Sequence, residues 1–263
     1  MNAKVPANPL EMVAYVLSKQ INDHEVVYIG TGLPMVAAIL AKMTHAPNIT
    51  FVYESGGQDP IPGDMPWSVG GPMTWRKAPM IMEMAYSFGQ AACGLVDKGF
   101  LGFAQIDMYG NANTHMIGDD HSNPKVRLTG SGGNNDLASL CEKIVYVGLQ
   151  SPDKFVKEVD FITSAGTFVD DKPREERGLL GKGPVAVVTS AGVYDFCPDT
   201  HRMRIQTLHP GVSPELAQLA SGFELVCPEG DVPVTETPSH EVLGILRNEV
   251  DKNGLFITMP GAK

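Results

Sequence analysis

Two short stretches decide the fold: Glu25-Val-Val-Tyr-Ile-Gly-Thr-Gly-Leu-Pro34 and Ile49-Thr-Phe-Val-Tyr-Glu54. Each holds a short apolar run rich in β-branched and aromatic residues, which reads as a buried strand rather than a helix. The first run ends in Gly30-Thr31-Gly32, and helical patterning follows over 35–43 before the second run begins. Strand, helix, strand in this order predicts parallel strands with helices covering the sheet, because parallel neighbours need a long crossover between them. The fold class expected is therefore α/β, an open and mainly parallel sheet flanked by helices.

Working outward, Asn8-Pro9-Leu10-Glu11 reads as a helix start, with Asn8 as cap, Pro9 in the first turn and Glu11 three residues after the cap. Leu10, Val13, Leu17 and Ile21 then mark one helical face. Residues 54–79 carry five glycines and the prolines Pro60, Pro62, Pro66, Pro72 and Pro79, so they read as a long loop. Further on, helices are predicted over 80–88, 134–140, 214–220 and 241–250. Strands are predicted over 100–106, 126–129, 143–147, 161–163, 185–189 and 204–208, and 109–113 reads as a turn. Residues 1–263 read as one domain; 178–184 is the best linker candidate and reads equally well as a loop.

Composition limits the function classes. The chain has 263 residues, 43% of them hydrophobic and 19% charged, with a formal net charge of −10. A chain of this length buries about 70–75% of its unfolded surface, so it needs no disulfide or metal staple. The acidic balance argues against a nucleic-acid role. The four cysteines, at 93, 141, 197 and 227, lack zinc or CxxC spacing and read as reduced, mostly buried thiols. Neither a signal-peptide core nor a stretch of about 20 apolar residues is present in the sequence, so a soluble cytoplasmic protein is expected.

Several residues could carry chemistry. Gly30 and Gly32 lie between a predicted strand and a helix, where a turn either binds an anion or simply reverses the chain; a full dinucleotide fingerprint fails because position 35 is Met. Glu54 follows the second strand directly and precedes Ser55-Gly56-Gly57. Ligands in open α/β sheets bind beyond the carboxyl ends of the strands. A carboxylate there serves as base, nucleophile or anchor, or is merely solvated. Gly130-Ser-Gly-Gly133, followed by Asn134, repeats the strand–glycine–helix pattern; it reads as an oxyanion or phosphate cradle, or as a turn needing positive φ. His115, Asp119, Asp120 and His121 do not have standard metal-ligand spacing, so structural or substrate contacts are preferred to a metal. Trp67 and Trp75 either line a pocket or staple the long loop, and Met80, Met82 and Met84 read as core filling.

Taken together, Gly30-Thr-Gly-Leu-Pro34, Tyr53-Glu-Ser-Gly56, Ala104-Gln-Ile-Asp-Met-Tyr-Gly-Asn-Ala-Asn113 and Thr129-Gly-Ser-Gly-Gly-Asn134 resemble the family I CoA-transferases, most strongly B (beta) subunits of the glutaconate type. The resemblance runs from about residue 8 to about 258. It implies an A (alpha) subunit partner in a heterotetramer or heterooctamer. It also implies a coenzyme A thioester as substrate, no tightly bound cofactor, and no nucleic-acid or membrane partner. By this likeness Glu54 attacks an acyl-CoA thioester, and the reaction runs in ping-pong fashion through a mixed anhydride and a glutamyl-CoA thioester. Gly132, Gly133 and Asn134 are then candidates to line the oxyanion site, and Gly30, Gly32, Ser55 and Gly56 a ligand loop. The long loop with its two tryptophans is suited to keep water from the anhydride. Lys125, Arg127, Arg174 and Arg177 are candidate contacts for the CoA phosphates. Relatives on this scaffold also act as CoA-thioester or ring-opening hydrolases, and a non-catalytic assembly subunit is a third expectation.

Overall fold

Asn8 starts the first helix as its sequence predicts. Its side chain accepts hydrogen bonds from the Leu10 and Glu11 backbone N–H groups, and the Glu11 carboxylate accepts the Asn8 N–H in return at 2.8 Å. This capping box satisfies donors that the first turn leaves without partners. The helix α1 spans Pro9–Ser18 and buries Val13 and Leu17, with Ile21 buried just beyond its end. The computed structural model describes residues 6–61 and 65–259. Residues 1–5, 62–64 and 260–263, among them Pro62 of the long loop, lie outside that set.

The chain divides into two compact units, residues 1–100 with 236–263, and residues 101–235. The divisions fall at Phe100/Leu101 and Thr235/Glu236, not within 178–184.

In the first unit the decisive stretches form β1 (Val26–Ile29), α2 (Leu33–Met43) and β2 (Thr50–Tyr53). β1 pairs in parallel with β2 and, on its other side, with β5 (Lys98–Gly102) through Lys98, Gly99 and Phe100. Two antiparallel strands, β3 (Gly57–Gln58) and β4 (Met80–Ile81), continue the order β5-β1-β2-β3-β4. α2 packs on β1 and α1 and buries Met35, Val36, Leu40 and Ala41. The ion pair of Arg247 Nε with Glu11 at 2.6 Å ties the C-terminal segment to α1, and Asn8 Nδ2 donates to the Ile257 carbonyl.

The second unit holds a parallel pair, Lys143–Gly148 with Pro184–Thr189, continued by antiparallel strands Gly192–Phe196 and Met203–Leu208. Tyr146, Val187, Val188, Tyr194 and Ile205 are buried in its core, and Phe155 stacks on Phe223 at 5.7 Å. Both units therefore show the α/β architecture expected, with parallel strands extended by antiparallel ones.

Several local expectations are corrected. The helix expected over 80–88 is α3, Met84–Ala92; Met80 and Ile81 instead form β4, because Gly57 and Gln58 offer their backbone as a partner. Met80 and Met84 are about half exposed rather than core. The strand over 161–163 is absent; there the Thr163 and Ser164 backbone N–H groups donate to the Ala112 carbonyl. The strand over 100–106 breaks after Gly102, and Gln105–Ile106 pairs with Ala112–Asn113 across the predicted turn. The strand over 126–129 covers only Val126–Arg127, and Gly192–Phe196 is a strand that the sequence pattern does not predict. Among the cysteines only Cys141 is buried, which pushes its thiol up to about 12, while Cys93 and Cys227 are exposed. Among the described residues no helix is long and apolar enough to cross a membrane.

Candidate active site

Glu54 leaves the end of β2 on a tight turn, closed by the Gly56 N–H donating to the Tyr53 carbonyl at 2.8 Å. The side chain of Glu54 is partly exposed. The turn is held from two sides. Gly56 has φ +90°, and a Cβ placed there would lie 1.8 Å from the Met82 carbonyl oxygen, so only glycine fits. Its own carbonyl accepts the Met82 N–H at 3.1 Å. At Gly57 a Cβ would meet the Thr74 carbonyl at 2.0 Å. Ser55 Oγ lies 3.0 Å from Thr74 Oγ1 and accepts the Trp75 indole N–H at 3.1 Å. Thr74, Trp75 and Met82 thus fix the three residues that follow Glu54. Trp75 acts as a staple through its bond to Ser55, whereas Trp67 is 76% exposed.

Behind the turn, Tyr53 is buried and burial pushes its phenol well above the ordinary value. Ser87 Oγ lies 2.9 Å from the Tyr28 hydroxyl and donates to the Tyr53 carbonyl, which joins α3 to β1 and β2. In the same unit Gly32 has φ +84° and caps α2, and a Cβ placed on Gly30 would come no closer than 4.0 Å to the Phe100 carbonyl oxygen. A glycine is required at Gly32 by its backbone angle; a Cβ there would meet nothing.

The second glycine turn lies in the other unit. Gly130 and Gly132 have φ of +93° and +52°, and a Cβ at either would enter open space. Gly133 is buried and caps the helix Asn134–Leu140. Thr114 anchors this turn: its carbonyl accepts the Gly130 N–H at 3.1 Å, and its hydroxyl donates to the Gly130 carbonyl at 2.9 Å. Asn134 Nδ2 donates to the same hydroxyl at 3.4 Å. The Asn134 backbone N–H is already given to Ser131. As an oxyanion donor Asn134 therefore has only its side-chain amide to offer.

The four candidate phosphate contacts separate clearly. Arg174 is 1% exposed and donates to the carbonyls of Ala138, Ala165, Gly166 and Leu180, so its guanidinium is a structural hub and not a ligand contact. Burial pulls its pKa down from the usual range. Arg177 is paired with Asp170 at 2.9 Å and also donates to the Asp170 carbonyl. Lys125 and Arg127 remain exposed. His115 stacks on Phe161 at 4.4 Å and on His121 at 5.1 Å, and His121 lies 6.1 Å from Phe161, so the three rings pack as a cluster. Among the described residues no group of three or more His, Cys, Asp or Glu is arranged to hold a metal ion.

The model of a family described as coenzyme A transferase matches residues 10–216. The chain is also 36% identical over 259 residues to the B subunit of glutaconate CoA-transferase from Acidaminococcus fermentans, covering 95% of each. The chain belongs to the coenzyme A transferase family. This coenzyme A transferase chain is likewise 34% identical over 238 residues to the B subunit of 3-oxoadipate CoA-transferase from Pseudomonas knackmussii, covering 90% of this chain and 91% of that one. It superimposes on the solved structure of the A. fermentans glutaconate coenzyme A-transferase with a TM-score of 0.88 and 34% identity, over 96% of this chain and 98% of the other.

Sequence reasoning about this coenzyme A transferase chain finds Glu54 and the glycines but misses the residues that hold them. Thr74, Met82, Ser87 and Thr114 carry no motif. They act through backbone atoms or single hydroxyls, and their partners lie 16 to 59 positions away in the chain. Also missed is a cavity of about 640 Å³ in the second unit, lined by Phe103, Ala104, Thr114, Arg127, Leu128 and Thr129.

Proposed function

We propose that this chain is the B subunit of a heteromeric acyl-CoA:carboxylate CoA-transferase, with Glu54 as the nucleophile. The observation that carries this reading is a carboxylate at the exit of a parallel strand, on a turn whose neighbours are fixed by the Met82 carbonyl and Thr74, in a chain of this family. A fixed nucleophile removes the entropy cost of bringing carboxylate and thioester together.

In this reading one oxygen of Glu54 attacks the thioester carbonyl carbon. The C–S bond then breaks, giving a mixed anhydride and CoA thiolate. The thiolate attacks the Glu54 carbonyl carbon, which releases the donor carboxylate and leaves a glutamyl-CoA thioester. The acceptor carboxylate runs the same steps in reverse. Each addition builds an oxyanion, for which Gly132, Gly133 and the Asn134 amide are the proposed lining, and a lost donor typically costs about 10²–10³ in rate. Gly30, Gly32, Ser55 and Gly56 are the proposed ligand loop. Coenzyme A enters as substrate, with no resident cofactor, and the complex works in the cytoplasm.

The A-subunit partner is supported by the B-subunit names of the relatives. A second support is the run of exposed apolar residues around the Glu54 turn: Ile61, Trp67, Met80, Ile81, Met84 and Tyr86 are each more than half exposed. Surfaces of this kind mark association sites more often than free solvent faces. A heterotetramer or heterooctamer is the assembly proposed.

The test is to incubate the assembled A–B complex with acyl-CoA and then add borohydride. Reductive inactivation that depends on acyl-CoA, with the modification mapped to Glu54, supports the reading. Inactivation that ignores acyl-CoA overturns it. CoA release that needs no carboxylate acceptor would make the enzyme a hydrolase.

A further inference from the structure

We propose that the cavity beside the second glycine turn is an anion-recognition pocket, in which Arg127 holds an oxyanion group of the substrate. The group is either a carboxylate at the far end of the acyl chain or a phosphate of coenzyme A. This inference rests on the transferase reading above and adds to it the part of the chain that selects the substrate.

The cavity, at about 640 Å³, lies within the 300–1,000 Å³ usual for small-molecule sites and exceeds what a single carboxylate needs. Its apolar lining residues are Phe103, Ala104 and Leu128, and its polar ones are Thr114, Arg127 and Thr129. Few polar groups set among apolar walls is the pattern by which such sites fix a ligand's orientation. The pocket wall is also the wall of the glycine turn, since Thr114 bonds both the N–H and the carbonyl of Gly130.

Arg127 is exposed but not loose. One terminal nitrogen donates to the His121 carbonyl at 2.8 Å, and the other lies 3.3 Å from His115 Nε2. His115 is itself held by ring contacts with both His121 and Phe161. Among the described residues Arg127 has no carboxylate within ion-pair distance, in contrast to Arg177, Arg202, Arg204 and Arg247. A guanidinium at a cavity wall with no carboxylate paired to it keeps its charge for a ligand, and its planar fork suits carboxylate and phosphate alike.

The experiment uses the full-length chain, titrated calorimetrically with glutarate, a simple dicarboxylate, and separately with free coenzyme A. Wild type, Arg127→Gln and Arg127→Lys are compared, with circular dichroism melting to check the fold. The expected result is that Arg127→Gln weakens one of the two probes by about tenfold or more while Arg127→Lys weakens it less. Loss for glutarate alone assigns the carboxylate, and loss for coenzyme A alone assigns the phosphate. If neither probe binds wild type, or if Arg127→Gln binds both as wild type does, the inference is overturned. Trapping at Glu54 with no effect of Arg127 sinks the pocket alone, whereas Arg127-dependent binding without trapping sinks the transfer chemistry alone.

Discussion

At the scale of single residues, the chemistry proposed for Glu54 depends on one carboxylate oxygen and on the backbone that aims it. Glu54→Gln keeps the shape and removes the nucleophile, so transfer should fall by at least about 10³-fold with assembly intact. Initial rates of the purified complex measure this, and near-wild-type activity would leave the chain in a purely assembling role. Gly56→Ala acts differently. Its Cβ would meet the Met82 carbonyl at 1.8 Å, so backbone must move, at a cost of roughly 3 kcal/mol or more. A lowered melting temperature together with lost activity is the expected pair of results; an unchanged melt would mean that the turn is not clamped as described. Glu54 is legible in the sequence because a charged residue at the end of an apolar strand run stands out. The clamp is not legible, because backbone carbonyls that close over a glycine leave no side-chain signature.

Elements come next. The helix α1 is a local structure, set by Asn8, Pro9 and Glu11, and it is readable for that reason. Its connection to the C-terminal segment is not local. Glu11 is 3% exposed, and Arg247 neutralises it from 236 positions away. Asn8→Ala should cost about 1 kcal/mol as a lost cap. Arg247→Met should cost more, about 3 kcal/mol, because it leaves a buried carboxylate without its ion-pair partner. Urea midpoints of the two variants should fall in that order, and the reverse order would assign the stability to the cap.

The turn from Asp107 to Asn111 gives a pH-dependent counterpart. Burial pushes the Asp107 carboxyl up to about 6, against the N–H groups of Tyr109 and Asn111 and the Asn111 amide, which pull it down. A carboxyl raised in the folded state binds its proton more tightly there than when unfolded. Its contribution to stability is therefore greatest below about pH 4 and is lost as pH rises through 6, by on the order of 3 kcal/mol. The stability of wild type relative to Asp107→Asn should fall from pH 4 to pH 6 and then stay flat. A difference that rises over that interval would contradict the assignment.

For the whole molecule, the expected outcome concerns assembly. The purified chain alone should show no transfer, and adding an A-type partner should restore it; full activity of the isolated chain would remove the need for a partner. The acidic balance of −10 argues against nucleic acid but leaves open how a polyanionic substrate is held. Among four candidate cations, two are already committed, Arg174 to four carbonyls and Arg177 to Asp170. Composition counts these charges equally. Position separates them: Arg174 is buried with both terminal nitrogens given to carbonyls of the chain, and Arg177 is held by Asp170.

The sequence by itself determined the α/β class, the helices α1 and α2, the strands β1 and β2, and the glutamate and glycine turns. These depend on periodicity, caps and punctuation within a few residues. Tertiary structure alone decided that Met80 and Ile81 pair as an edge strand instead of starting a helix, and that Gly192–Phe196 is a strand. It also decided which loop residues hold the Glu54 turn and which arginine faces a cavity. In each of these cases the deciding partner is a backbone or side-chain group distant in the chain, and short-range pattern carries no information about what such a group will satisfy.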